Sequence, residues 1–98
     1  MKWKIKIHRL VKEEDFKDID KSQKIRVKRA IINKLGRVPD KFGEQLRGEY
    51  KKYRKLVVGD YRVIYKVVKD KVLVLVVKVG IRRDFEVYID LSKRLKKI

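Results

Sequence analysis

Between Trp3 and His8 the residues WKIKIH alternate apolar and polar, as on a strand with one buried face. Trp3, Ile5 and Ile7 are expected to point inward, and Lys4, Lys6 and His8 outward. From Leu10 to Ile19 the apolar positions Leu10, Val11, Phe16 and Ile19 predict a short helix. A second helix starts after Asp20, a suitable N-cap with Gln23 three residues on in the capping-box spacing. Its apolar stripe is Ile25, Val27, Ile31, Ile32 and Leu35, and Gly36 marks its end.

The next segment, RVPDKFGEQLRGEYK, holds the only proline, Pro39, with Gly43 and Gly48, and is expected to be a loop. Three strands follow: Lys52 to Val58, the run DYRVIYKVV, and the run KVLVLVVKV. The turns Gly59-Asp60 and Lys69-Asp70 are too short for anything but an antiparallel meander. The third strand is apolar on both faces, as at the centre of a covered sheet. After Tyr88, IDLSKRLKKI predicts a basic terminal helix. The order β-α-α-β-β-β-α gives an α+β class, with both early helices on one face of the sheet and the last helix near the other.

Ninety-eight residues make one domain, residues 1–98. Lys and Arg number 30 against 13 Asp and Glu, a net charge of +17, which attracts polyanions. Nucleic acid is the first partner to expect and an acidic protein the second. A membrane surface ranks third, because no long amphipathic basic helix dominates the chain, and Lys78 breaks the longest apolar run far short of a span. No cysteine means no disulfide framework and no thiolate metal site, and one histidine, His8, makes no metal centre. No cofactor is expected. MKWKIKIHRL lacks the apolar core of a signal peptide, so the cytoplasm is the default location.

The cations have a pattern. Helix 21–35 contains no acid, and Lys21, Lys24, Arg26, Lys28, Arg29 and Lys34 form its outer face. On the middle meander strand Tyr61, Val63, Tyr65 and Val67 share one face, and Arg62, Ile64, Lys66 and Val68 the other. Arg62 starts that strand, and Arg82 and Arg83 leave the end of its hairpin partner, so all three are expected at one end of the sheet. Convergent guanidinium groups suit phosphate, to which each donates two parallel hydrogen bonds. A tyrosine among cations has its phenolate favoured and can work as a base or acid near neutral pH. RNA cleavage by its own 2′-hydroxyl needs such groups and no metal.

The pieces LRG (Leu46 to Gly48), GDYRVIY (Gly59 to Tyr65) and VGIRRDFEVY (Val79 to Tyr88) resemble the toxins of the RelE/ParE superfamily, RelE-type toxins most closely. That resemblance implies a ribosome-dependent mRNA endonuclease that cuts codons in the 30S A site without a metal. It also implies a cognate RelB-like antitoxin, acidic by charge complementarity, that covers the basic face or displaces the terminal helix. It assigns Arg62 and Arg82 to phosphate charge and Tyr88 to the attacking 2′-hydroxyl. Arg54 takes the first basic position after LRG. The second falls on Lys55 or is lost to Leu56, because the segment between Tyr53 and Tyr61 is one residue short. Lys21, Lys24, Lys28, Arg29, Lys52 and Arg83 are the expected RNA contacts.

Plainer readings stand beside these. Gly80 to Tyr88 is also compatible with a solvated loop, Tyr88 with simple packing at a helix start, and the lysine face with solvation alone. Two rival functions keep the same fold: a ParE-like toxin that poisons DNA gyrase, and a non-catalytic RNA- or protein-binding member.

Overall fold

The computed structural model describes residues 2–81 and 86–98. Arg82 and Arg83 therefore lie outside the described residues. Five strands form one sheet in the order β1-β5-β4-β3-β2. Strand β1 (Lys4–Ile7) pairs parallel with β5 (Leu73–Ile81), and β5, β4 (Tyr61–Val68) and β3 (Tyr53–Val58) form the expected antiparallel meander. Gly59 makes the β3–β4 turn at φ 59°, a conformation that disfavours a side chain.

Two additions break the expected pattern. Glu44–Gln45 forms a short edge strand, β2, inside the segment read as loop, and a 3-10 turn follows at Gly48–Tyr50. A two-residue strand of exposed polar residues carries no periodicity to read. The Lys69-Asp70 turn is also longer than expected, a 3-10 turn over Lys69–Lys71 closed by Val72 at φ 49°.

Helix α1 (Arg9–Glu13) starts at His8, whose Nδ1 accepts from the Leu10 amide at 3.1 Å. The helix expected to run to Ile19 stops at Glu13 and gives way to a 3-10 turn at Asp15–Asp18. Helix α2 (Lys21–Ala30) is capped by Asp20, whose carboxylate accepts from the Gln23 amide at 2.9 Å. These contacts, with one from Ser22, hold the Asp20 carboxyl below its ordinary value of 3.8. A π-helical turn, Ile31–Leu35, extends α2 to Gly36.

Leu10, Val11, Phe16, Ile19, Val27, Ile31 and Leu35 are buried as expected. Ile25 and Ile32 are not, being 47% and 63% exposed. At about 100° per residue they lie off the line through Val27, Ile31 and Leu35.

The helices pack on the sheet face carrying Leu56, Val58, Val63, Tyr65, Val74, Val76 and Val79. Helix α3 (Val87–Leu95) packs on the other, where Leu46, Ile64, Val77, Val87 and Leu91 make a second, smaller cluster. A β-bulge separates the two halves of β5: Ile64 pairs with Lys78 but Tyr65 with Val76, leaving Val77 unpaired. Val77 and Lys78 consequently both face α3, and alternation resumes with Val79 on the helix side.

Candidate active site

Cross-strand register divides the predicted cations. Arg62 lies opposite Val57 and Gly80, and Lys55 opposite Ile64, all on the α3 side of the sheet. Arg54 lies opposite Tyr65 and faces the helix side instead. Adjacent strand residues must diverge in this way. The shortened segment thus leaves Lys55 beside Arg62 and takes Arg54 out of that group. Arg54 donates to the carbonyls of Phe42 (3.4 Å) and Gly43 (3.2 Å). Next to it the Tyr65 hydroxyl has two acceptors for its one proton, Pro39 O at 2.8 Å and Phe42 O at 2.5 Å. Burial pushes the Tyr65 phenol above its ordinary value of 10.0, against the opposing pull of Arg54. Gly43 fits here only because it lacks a Cβ, which would lie 2.6 Å from the Lys55 carbonyl oxygen.

Lys21, Lys24, Lys28 and Arg29 belong to α2 and therefore to the layer on the far side of the sheet from Arg62. Lys28 places its ammonium 5.3 Å from the Phe16 ring centroid, a cation–π contact. Lys52 is exposed just before β3.

On the α3 side the polar groups form two clusters with the helix between them. One is a crevice of about 210 Å³ along β5, with Asp15, Asp18, Tyr61, Lys78, Glu86 and Asp90 in its wall. Arg62 sits beside it, buried to 6% exposure, in a narrow gap with Ile64, Lys78, Gly80 and Asp90. Past Val76, where β1 ends, side chains take over the free edge of β5. Asp15 accepts from the Val79 amide at 2.9 Å, and Arg94 donates to the Val77 carbonyl at 3.2 Å. Arg94 and Asp15 bind each other through two contacts, 2.6 and 3.0 Å, and Lys78 reaches Asp15 at 3.0 Å. A buried carboxylate of this kind needs such partners, since desolvation alone would neutralise it.

The second cluster holds Tyr88. Helix α3 begins at Val87, so Tyr88 lies in its first turn rather than ahead of it. Tyr88 and Asp90 are about 200° apart around the helix, which puts the phenol on the opposite flank from the crevice. Its oxygen accepts from the Arg47 amide at 3.0 Å, and its ring lies 6.1 Å from that of Tyr50. Leu46 is buried beneath and donates its amide to Tyr53 O at 3.0 Å. The LRG piece is thus the seat of the tyrosine, a role its sequence did not disclose. Burial also raises the Tyr53 phenol above 10.0. Among the described residues no group of three or more His, Asp or Glu is placed to hold a metal ion.

The sequence model of the ParE toxin of type II toxin–antitoxin systems, parDE, matches residues 5–84, a range that stops short of Tyr88. No curated protein matches the chain in sequence. Three solved structures share the fold. The toxin–antitoxin complex RelBE2 of Mycobacterium tuberculosis aligns at a TM-score of 0.77 and 20% identity, over 86% of this chain and 95% of that one. The isolated RelE toxin of E. coli aligns at 0.68 and 23%, over 95% and 98%. The archaeal RelE–RelB complex of Pyrococcus horikoshii aligns at 0.62 and 25%, over 86% and 99%. The chain belongs to the ParE toxin family, within the RelE/ParE superfamily, and is a toxin of a type II toxin–antitoxin system.

Proposed function

We propose that this toxin is an mRNA endonuclease of the RelE type, acting on ribosome-bound message. The observation that carries the reading is Tyr88: a half-buried phenol whose oxygen is fixed by the Arg47 amide. A toxin that only binds its target has no need of a phenol held in this way. In the reaction, the 2′-hydroxyl gives its proton to a base as its oxygen bonds to the neighbouring phosphorus. The bond from phosphorus to the 5′-oxygen breaks, that oxygen takes a proton, and a 2′,3′-cyclic phosphate remains. Tyr88 is the base in this scheme. Arg82 and Lys55 supply positive charge for the phosphoryl oxygens. Arg62 lies across α3 from Tyr88, in a gap shared with Asp90, and contributes only the longer-range field of its charge. Arg54 is a scaffold residue in this reading, since it faces the other layer.

The partner is an antitoxin, a proposal supported by the RelB-bound forms of the M. tuberculosis and P. horikoshii relatives. No described helix is long and apolar enough to cross a membrane. The second reading, gyrase poisoning, is favoured by the ParE match itself.

The test is cleavage of a defined mRNA in a purified translation mixture, with and without ribosomes, mapped by primer extension. Codon-phased cuts that need ribosomes are expected. No cuts in either mixture, together with inhibition of gyrase in a supercoiling assay, would transfer the assignment to the ParE reading.

A further inference from the structure

The turn that precedes β3 holds Tyr88, and Gly48 within it stands in the left-handed region, at φ 64°. We infer that Gly48 is a positioning residue for the cleavage step. Its left-handed backbone closes the turn that aims the Arg47 amide at the Tyr88 oxygen.

Arg47 sits between two fixed points. Before it, Leu46 is buried and donates its amide to Tyr53 O at 3.0 Å. After it the chain doubles back at once, and the Tyr50 amide reaches the Arg47 carbonyl at 3.3 Å. A turn of this kind, with positive φ at its second residue, favours glycine, asparagine or aspartate there. The Lys51 amide donates to the Gly48 carbonyl at 3.2 Å, and the Gln45 side chain donates to the Lys51 carbonyl at 2.8 Å, which completes the closure. The Arg47 amide then lies 3.0 Å from the Tyr88 oxygen. The same turn sets the Tyr50 ring beside that of Tyr88, with centroids 6.1 Å apart. One backbone conformation thus determines two contacts of the phenol.

Packing gives no reason for a glycine here. Apart from its chain neighbours, a Cβ at Gly48 would meet no heavy atom of the described residues within 4 Å. A Cβ at Gly43 would strike the Lys55 carbonyl, and one at Gly59 the Arg26 guanidinium. Space permits a side chain at position 48 and the conformation does not, because Cβ crowds the backbone at positive φ. A β-branched residue drives φ negative and reopens the turn, and the Arg47 peptide swings with it. Misplacing a reacting group by about 1 Å costs on the order of 10²-fold in rate.

This inference rests on Tyr88 being the base of the nuclease, and its test compares variants in the ribosome-dependent cleavage assay. Gly48→Val is expected to lower the single-turnover rate about 10²-fold, with little change in the ribosome concentration that gives half the maximal rate. Gly48→Asn, whose side chain tolerates the left-handed region, is expected to recover most of that loss. In a Tyr88→Phe background Gly48→Val is expected to cost little more, because two changes acting through one group do not add. Amide exchange at Arg47, followed by NMR on the whole protein, is expected to quicken in Gly48→Val and to stay slow in Gly48→Asn. Parental cleavage by Gly48→Val would overturn the inference. So would losses that multiply with Tyr88→Phe, or a Gly48→Asn variant as slow as the valine one. If Gly48→Val does not fold, Gly48→Ala takes its place, and equal rates in the alanine and asparagine variants would overturn the inference. A parental protein that leaves message uncut on ribosomes would instead remove the nuclease reading. Arg47 exchange then still decides whether Gly48 aims the amide, and equal exchange in the parental protein and Gly48→Val would overturn that as well.

Discussion

The two layers on the sheet are built differently. On the helix side thirteen described residues form a continuous buried cluster, nearly all aliphatic. On the α3 side five do, with Tyr50, Tyr53, Leu75, Tyr88 and Leu95 packed partly buried against them, and polar contacts join the layers: Asp15 with Arg94 and Lys78, Glu14 with Arg94 and Lys97, and Tyr88 with Arg47. Aliphatic burial is non-directional and tolerates repacking, whereas ion pairs and single hydrogen bonds depend on placement. The helix side therefore reads as scaffold. The α3 side is where position matters and where the candidate chemistry is found.

The sharpest challenge to that division is Tyr88→Phe. Loss of a general base lowers the rate by about 10²- to 10⁴-fold. Message cleavage should fall by that order while the urea unfolding curve shifts little. A variant that cuts at the parental rate would make Tyr88 a packing residue, and the α3 side would lose its chemical meaning.

Next is Arg94→Met, which leaves Asp15 buried with only Lys78 as its side-chain partner. Removing one member of a buried pair costs about 3–5 kcal/mol. Equilibrium unfolding measures it, and Asp15→Asn in the same chain should restore part of the loss. A change below about 1 kcal/mol would show the pair to be no tighter than a surface bridge.

Tyr65→Phe probes the other layer. It strands the Pro39 carbonyl, while the Phe42 carbonyl keeps Arg54, at a cost of about 1–3 kcal/mol. It should also alter the alkaline limb. The Tyr65 phenol is raised in the folded protein above 10.0, so the folded chain holds this proton more tightly than the unfolded one. Its contribution is complete below pH 10.0 and is lost as pH climbs through the raised value. The phenylalanine variant should lose less stability over that alkaline range, and an identical slope in both proteins would refute the assignment.

The smallest effect belongs to Asp20→Ala, which removes the α2 cap. The Asp20 carboxyl is lowered from 3.8, so its contribution is present above that value and disappears as pH falls through the folded one. Amide exchange at Gln23 should quicken in the variant at neutral pH, and parental exchange there would count against the cap.

What could be read from the sequence was whatever repeats with the period of its element. The meander was legible because Tyr61 to Val68 is rich in β-branched and aromatic residues, and Gly59-Asp60 left room for one connection. Strand alternation placed Arg62 on the correct face. The resemblance gave the first basic position to Arg54 and could not decide between Lys55 and Leu56 for the second, which rests on one missing residue and on pairing across the sheet. Asp15 was invisible for a different reason. The third acid of the run Glu13-Glu14-Asp15 at a helix end looks solvated, and its partners Lys78, Val79 and Arg94 are 63 to 79 positions away. The hold of Arg47 on Tyr88 spans 41 positions and uses a backbone amide, which every residue but proline carries.

The unpaired Val77 acts as a phase switch for everything after it. Upstream, Val74 and Val76 face the helix pair; downstream, Val79 does so only because the strand has slipped by one. Had Val77 been taken into regular pairing, the environments of Lys78, Val79 and Gly80 would be exchanged: Lys78 would be driven into hydrocarbon, and Val79 would turn toward Arg62. Deleting Val77, by contrast, would straighten the ladder and leave all three on their present faces. A comparison of toxins that counts matching letters treats the two strands alike, although only the first reverses the orientation of the segment that leads into the candidate site.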